Sequence, residues 1–474
     1  MPLQTVHIRI NDGATGQPTP VRLCVTDSAG NYFAPFGHAA EFPAGRGEAV
    51  GGDVIIAGQR WAAIDGSCEI ALPPGELVVE ATKGPAYRPI REAVHLPLGK
   101  MSLRFQIERI SDARTDNWHS GDLRAHFLSP HDALLEAAAE DLDVVHILAA
   151  ATPMHAADGQ TYVTFPNLDA FSGQQPALER DGRLVIVGTH NVHPVLGSLA
   201  LLHCHRVVYP LTFGGSDSTD DWSLGDWCDQ CHRKRGLVVW TNAAPTPLLA
   251  GAEALAQAIL GRVDALEIAP DWPENLAVYN LLLGVGVRLP LEGSSAKRSN
   301  AVALGACRTH AKLNPGEPLT PATWIEAIRA GRTVVSDGPR LPFTVDGEPP
   351  GSTLERVAGQ SLQIRSDDRA EIVWNGEVVG RGNLEIAVST SGWLAARICS
   401  GTFAHSSPVW IDVPGRPMPR SDAAVKLLSR RLEAGRDWVE REGRFEKDRS
   451  RLQLLETFDS AIQKLRDSGA APEP

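Results

Sequence analysis

Asn117-Trp118-His119-Ser120-Gly121-Asp122-Leu123-Arg124-Ala125-His126-Phe127 combines two features in eleven residues: a strand-like run, and three chemically active side chains at every second position. Successive strand residues point to opposite faces, so Arg124 and His126 share one. An imidazole can give a lone pair to a metal, whereas a guanidinium has none to give. The function of the chain depends on how Arg124 is read.

Outward from this stretch, apolar strand-like runs alternate with helical ones. Leu142–Leu148, Arg183–Gly188, Gly236–Trp240 and Val263–Ile268 read as short buried strands, and His131–Glu140 and Pro247–Leu260 read as helices between them. Repeated units of this kind predict parallel βα units closing into a barrel over residues 111–340, with active groups at the C-terminal strand ends. Residues 1–110 read instead as a β-sandwich. Val6–Ile10, Val21–Thr26, Glu76–Ala81 and Ser102–Ile107 are strand-like and are separated by turn clusters such as Pro73-Pro74-Gly75. Strand text returns over 341–415, with an Asn375-Gly376 hairpin signal, and predicts a second, small β domain. Residues 416–474 read as helices opening at a Ser421 N-cap, followed by a frayed tail. The expected class is therefore multidomain α/β, a distorted β/α barrel flanked by two β domains and terminal helices.

With 474 residues and 43% hydrophobic content, the chain can bury several cores. A formal net charge of -12 and the lack of any Lys/Arg-rich run argue against a nucleic-acid partner. Met1–Ile10 lacks a basic segment followed by an apolar one, and no apolar run is long enough to cross a bilayer. A cytoplasmic protein without a membrane partner, acting on a small molecule, is expected; the sequence leaves its oligomeric state open. The seven cysteines do not form a disulfide framework, and a structural role is expected for Cys24, Cys68, Cys307 and Cys399. Cys228-Asp229-Gln230-Cys231-His232 reads as half of a zinc site, with Cys204 nearby, or as a helix burying its cysteines as small apolar groups; the spacing of Trp222, Leu224, Trp227, Cys228 and Cys231 favours the helix. The acidic run Phe213–Asp221 reads as a solvated turn lacking the alternation of a calcium loop.

Three pieces in order, Ser120–His126, Ala330–Pro339 and Phe403–Val409, resemble the CehA/McbA-type branch of the polymerase-and-histidinol-phosphatase (PHP) superfamily. The resemblance spans roughly Trp118 to Ile411 and implies a PHP-like barrel that hydrolyses carbamate esters or related bonds with a metal-activated water. Carried over, the family's first histidine pair falls on Arg124 and His126. Ser198, Asn242 and Ser295 stand where further ligands are usual. What remains implies a divalent metal, zinc or manganese, held by His126, His193 and Glu267, with Asp122 orienting a ligand or taking a proton. Arg124 would polarise the substrate, and Arg124 and Lys297 would bind it. The leading expectation is thus a divergent metal-dependent hydrolase of an ester, carbamate or phosphoester. The alternative is a non-catalytic PHP-like pseudoenzyme, without metal, that binds an anionic or sugar-like ligand.

Overall fold

The structure, a computed structural model, describes residues 3–37, 53–155, 160–215, 218–244, 247–269 and 272–467. The tail and part of the acidic run (Ser216 and Asp217) lie outside these residues.

Alternation over the first hundred residues produces two facing sheets. Gln4–Asp12 lies between Ser67–Leu72, antiparallel to it, and Ser102–Arg109, parallel to it. The second sheet carries Val21–Asp27 and Gly75–Thr82 at its centre. The inward positions Val6, Ile8, Ile10, Leu23, Val25, Leu77 and Val79 form one shared core. Lys83 ties this unit to the next, since its buried amine donates to the carbonyls of Pro20 and Ala138, both at 2.7 Å.

A large curled sheet follows. Its strands lie in the order Leu291–Gly293, Ala265–Ile268, Leu237–Thr241, Gly197–Leu202, Arg183–His193, Val144–Ala150, Trp118–Ala125, Arg308–Lys312, Thr333–Ser336. Parallel and antiparallel pairs are mixed, because Arg183–His193 folds back on Gly197–Leu202 and Arg308–Lys312 runs against Trp118–Ala125. The curl brings the first strand back to the last ones, where side-chain hydroxyls replace a backbone ladder. Thr309 Oγ1 both accepts from Gly293 N at 2.6 Å and donates to Gly293 O at 3.0 Å. Thr333 Oγ1 donates to Leu291 O at 2.6 Å, and Ser407 Oγ accepts from Leu291 N at 2.8 Å. A hydroxyl can donate and accept at once, so it satisfies both groups of the edge strand.

One end of the curl is plugged by the helix Pro321–Arg329, whose Trp324, Ile325 and Ile328 pack with Leu123, Val144, Leu184, Ala200 and Val239. Gly121 is required there: a Cβ would lie 2.7 Å from the Trp324 ring and 2.8 Å from the Val144 carbonyl. Outside the curl, Pro130–Ala139, Leu224–Arg233, Ala252–Leu260 and Trp272–Gly284 cover the sheet.

The expected separate β domain over 341–415 is corrected. Thr402–Ser406 pairs with Thr333–Ser336, so Gly392–Ser400, Glu371–Trp374 and Glu377–Arg381 extend the large sheet, and only Phe343–Val345, Ser361–Ser366 and Leu384–Ala387 form a sheet of their own. The edge of Thr333–Ser336 would otherwise present unpaired N–H and C=O groups. The core of this region accordingly includes Trp118 and Val334.

Asp422–Arg441 and Asp448–Asp467 pack on each other and on Ala252–Leu260. Ser421 caps the first by accepting from Ala424 N. Gly435 lets them meet, since a Cβ there would sit 2.6 Å from the Phe458 ring and 2.7 Å from Ala252 Cβ. Gly435→Ala should therefore destabilise the chain by about 1–3 kcal/mol, although alanine is the better helix former. A raised denaturation midpoint would show that the helices have room to separate.

Candidate functional site

The plug closes one end of the curl, and the other end holds a cavity of about 720 Å³. Its polar wall is His126, His190, Asn242 and Arg298, with Thr152, Thr164 and Thr212. Phe127, Leu148, Pro153, Met154, Pro166 and Val192 form the apolar wall. The hairpin Thr152–His155 with Thr161–Thr164 forms one side, and Tyr162, Val163 and Phe165 are exposed along it.

Arg124 lies beneath this cavity, 1% exposed. Its Nε donates to Glu267 Oε1 at 2.6 Å and its Nη2 to Glu267 Oε2 at 2.7 Å, a bidentate pair between fully buried groups. Nη2 also approaches Asn242 Oδ1 at 3.4 Å, and Ser294 Oγ donates to Glu267 Oε1 at 2.5 Å. Arg124 was expected to polarise and bind substrate. Its charge is instead paired with Glu267, whose two oxygens accept from Arg124 and Ser294.

Directly across from Glu267 in the neighbouring strand stands Glu292, also buried. Burial, with Glu267 alongside, pushes its carboxyl well above the usual carboxylate range. The Glu292 position was missed by sequence reasoning. The signal was present in Leu291-Glu292-Gly293, a carboxyl in an apolar strand next in order to Glu267. The one guanidinium pairs with Glu267, and Glu292 has no such close partner among the described residues.

The other expected residues divide. His126 does line the cavity, and its Nδ1 donates to Leu148 O at 3.0 Å. His193, expected as a second metal ligand, does not join it. Arg183–His193 is one unbroken strand, so His190 and Val192 face inward while His193 faces outward. There His193 Nδ1 accepts from the amides of Val195 and Leu196, and Nε2 donates to Asp220 at 3.0 Å. Asp220 also accepts from Arg444 N, so the histidine fastens the loop between the C-terminal helices.

His190 takes the inward place instead, its ring 5.4 Å from that of His126. Its Nε2 lies 2.9 Å from Thr241 Oγ1, which is 2.8 Å from Ser198 Oγ. Burial first, then Arg124, His126 and Arg298, holds His190 well below the usual histidine range and hence neutral. Parity along the strand was the signal that distinguishes His190 from His193.

Asp122, expected to orient a ligand or move a proton, is corrected as well. Its Oδ1 accepts from the amides of Ser295 and Arg124 and its Oδ2 from that of Gly305, so the carboxyl anchors a buried loop. Lys297, expected at the substrate, points away: its amine donates to Ser299 O and Val302 O and faces Glu136 at 3.5 Å. The adjacent Arg298 lines the cavity instead.

The metal expectation can be tested against this donor set. Among the described residues no group of three or more His, Cys, Asp or Glu side chains converges to hold an ion. His126 and His190 face the cavity, but the carboxylate expected to join them, Glu267, is paired with a cation already present in the chain. The residues therefore do not fit the expected divalent ion.

The cysteine motif follows its helical spacing. Leu224–Arg233 buries Cys228 and Cys231, opens with a Ser223/Asp226 capping box, and sets Cys231 Sγ 3.3 Å from Cys204 Sγ. His232 faces outward to Asp264, and Trp222, outside the helix, is exposed. Cys24 and Cys307 are buried as expected, whereas Cys68 is half-buried and Cys399 exposed. No helix of the described residues is long and apolar enough to cross a membrane.

No family model matches the chain, and no curated protein does. Among solved structures, PsfC from Pseudomonas syringae aligns over 44% of this chain and 88% of its own, at 16% identity and a TM-score of 0.30. The lesion-specific endonuclease PfuEndoQ from Pyrococcus furiosus aligns over 74% of this chain and 91% of its own, at 11% identity and a TM-score of 0.30. A TM-score of that size fixes neither the fold nor the activity of this chain.

Proposed function

We propose that the chain is a divergent PHP-like barrel that binds a small molecule at its open end without a metal ion. The observation that carries this reading is the bidentate Arg124–Glu267 pair, which puts a permanent cation against the carboxylate that a metal would need. A hydrolytic ion needs its ligands free and one position open for water.

The cavity has the composition of a small-molecule site, mostly apolar with a few polar groups on one side. Arg298 supplies a guanidinium there, and His126 and the neutral His190 supply directional hydrogen bonds. An amphipathic anion suits this wall: its head toward Arg298 and the imidazoles, its apolar part among Leu148, Pro153, Met154 and Val192.

Hydrolysis remains the second reading because His126, His190, Glu267 and Glu292 stay at one end of the sheet. Elemental analysis of the purified chain separates the two. Binding without metal predicts transition metal well below one equivalent. One full equivalent, lost in His126→Ala, would overturn the proposal in favour of a metallohydrolase.

A further inference from the structure

The junction between the N-terminal sandwich and the curled sheet holds an excess of positive charge around a small void of about 50 Å³. Four guanidiniums line it, from Arg109, Arg114, Arg308 and Arg340, against the two carboxylates of Asp141 and Asp143. Both carboxylates are engaged. Arg109 grips Asp141 with two nitrogens, and Arg114 bonds Asp141 and Asp143.

Arg308 and Arg340 are balanced less directly: Glu140, Asp141 and Asp122 act on Arg308, and Asp116 on Arg340, through their fields and not through a close pair. Arg308 is 4% exposed, and its Nε and Nη1 donate to the neutral carbonyls of Gly305 and Glu140, both at 3.0 Å. Arg340 stacks on Trp118 at 4.6 Å, and its Nε has no hydrogen-bond partner among the described residues. Neither forms an ion pair among the described residues. His310, 6% exposed, lines the same void, and its Nε2 also lacks a partner among those residues. Burial first, then Arg308 and Arg340, pushes this histidine down to about 3, against the opposing pull of Asp143.

We infer that this void binds one small monovalent anion of chloride size, held between Arg308, Arg340 and His310, and that the anion helps to lock the sandwich to the curled sheet. The surrounding groups that lack partners are donors or can become donors, since the guanidiniums only donate and neutral His310 can carry its proton on Nε2. A species that only accepts hydrogen bonds satisfies them all. A water molecule fits the volume but leaves in place the charge of the buried Arg308 and of the half-buried Arg340. The inference is independent of any ligand at the other end of the sheet.

Thermal unfolding of the full chain in sodium chloride and in sodium gluconate, at equal ionic strength, tests it, because gluconate is too large for the void. A ligand that binds only the folded chain raises its Tm, here by about 2 °C or more in chloride. Arg340→Met keeps an aliphatic stem on Trp118 but removes the guanidinium, and should abolish that gain. Crystals grown in bromide should show an anomalous peak within hydrogen-bond distance of Arg308, Arg340 and His310; this measurement on the unaltered chain decides the matter if Arg340→Met does not fold. Equal Tm in the two salts, a gain that survives Arg340→Met, or no bromide peak there would each overturn the inference. A response to phosphate without one to chloride would overturn the assignment of a monovalent ion.

Discussion

Arg124→Met is expected to destabilise the chain by about 3–5 kcal/mol, the usual cost of leaving one partner of a buried ion pair uncompensated. Methionine matches much of the arginine stem, so the loss is chiefly electrostatic: Glu267, 0% exposed, would keep Ser294 as a donor but lose the guanidinium that is its counterion among the described residues. Adding Glu267→Gln to the same chain removes the stranded charge while keeping an acceptor for Ser294. The double variant should therefore recover most of the loss, and a double-mutant cycle on urea midpoints measures the coupling. Arg124→His should lose stability as well, but zinc should restore part of it, because an imidazole then joins His126 beside a freed carboxylate. If Arg124→Met unfolds at the midpoint of the unaltered chain, the guanidinium is not neutralising Glu267. The ion-pair account of the site then fails.

Glu253→Gln is expected to make the chain more stable in mildly alkaline solution and to leave it nearly unchanged in acid. Glu253 is fully buried in Ala252–Leu260, where its Oε1 accepts from Gly225 N at 3.0 Å and Gln257 Nε2 at 3.1 Å. Burial pushes its carboxyl from 4.5 up to about 7, despite the donors that favour the anion. The folded chain thus binds the proton more tightly than the unfolded one. Its contribution is fully present below pH 4.5 and is lost as pH rises through about 7, reaching a cost on the order of 3 kcal/mol above that. Glutamine keeps the acceptor and cannot ionise. Its advantage should therefore grow from near zero at about pH 4.5 to its full size above about pH 7. Equal stability differences at the two ends of that range would mean that Glu253 stays charged in the folded chain.

Much of the architecture is written locally. Alternation at Val6–Ile10, Val21–Thr26 and Glu76–Ala81 marks strands because one face of each must be buried, and the structure extends these same runs by only a residue or two. Helix starts are equally local, since Ser129, Ser223, Thr320 and Ser421 each accept an amide hydrogen bond from the first turn. Sheet order is not local. Whether Thr402–Ser406 closes a separate domain or extends the large sheet depends on which edge it meets, and nothing within residues 341–415 specifies that edge.

The candidate site divides along the same line. By itself the sequence determined that Arg124 cannot ligate a metal and that it shares a stretch with His126. These are properties of side-chain chemistry at fixed positions. Only the tertiary structure decided that the guanidinium finds Glu267, 143 residues away along the chain, that Glu292 stands beside that pair, and that His190 faces the cavity while His193 fastens an outer loop. A buried charge takes the partner that the fold brings within reach. That choice rests on how strands from distant parts of the chain curl around a common axis, and no local pattern carries it.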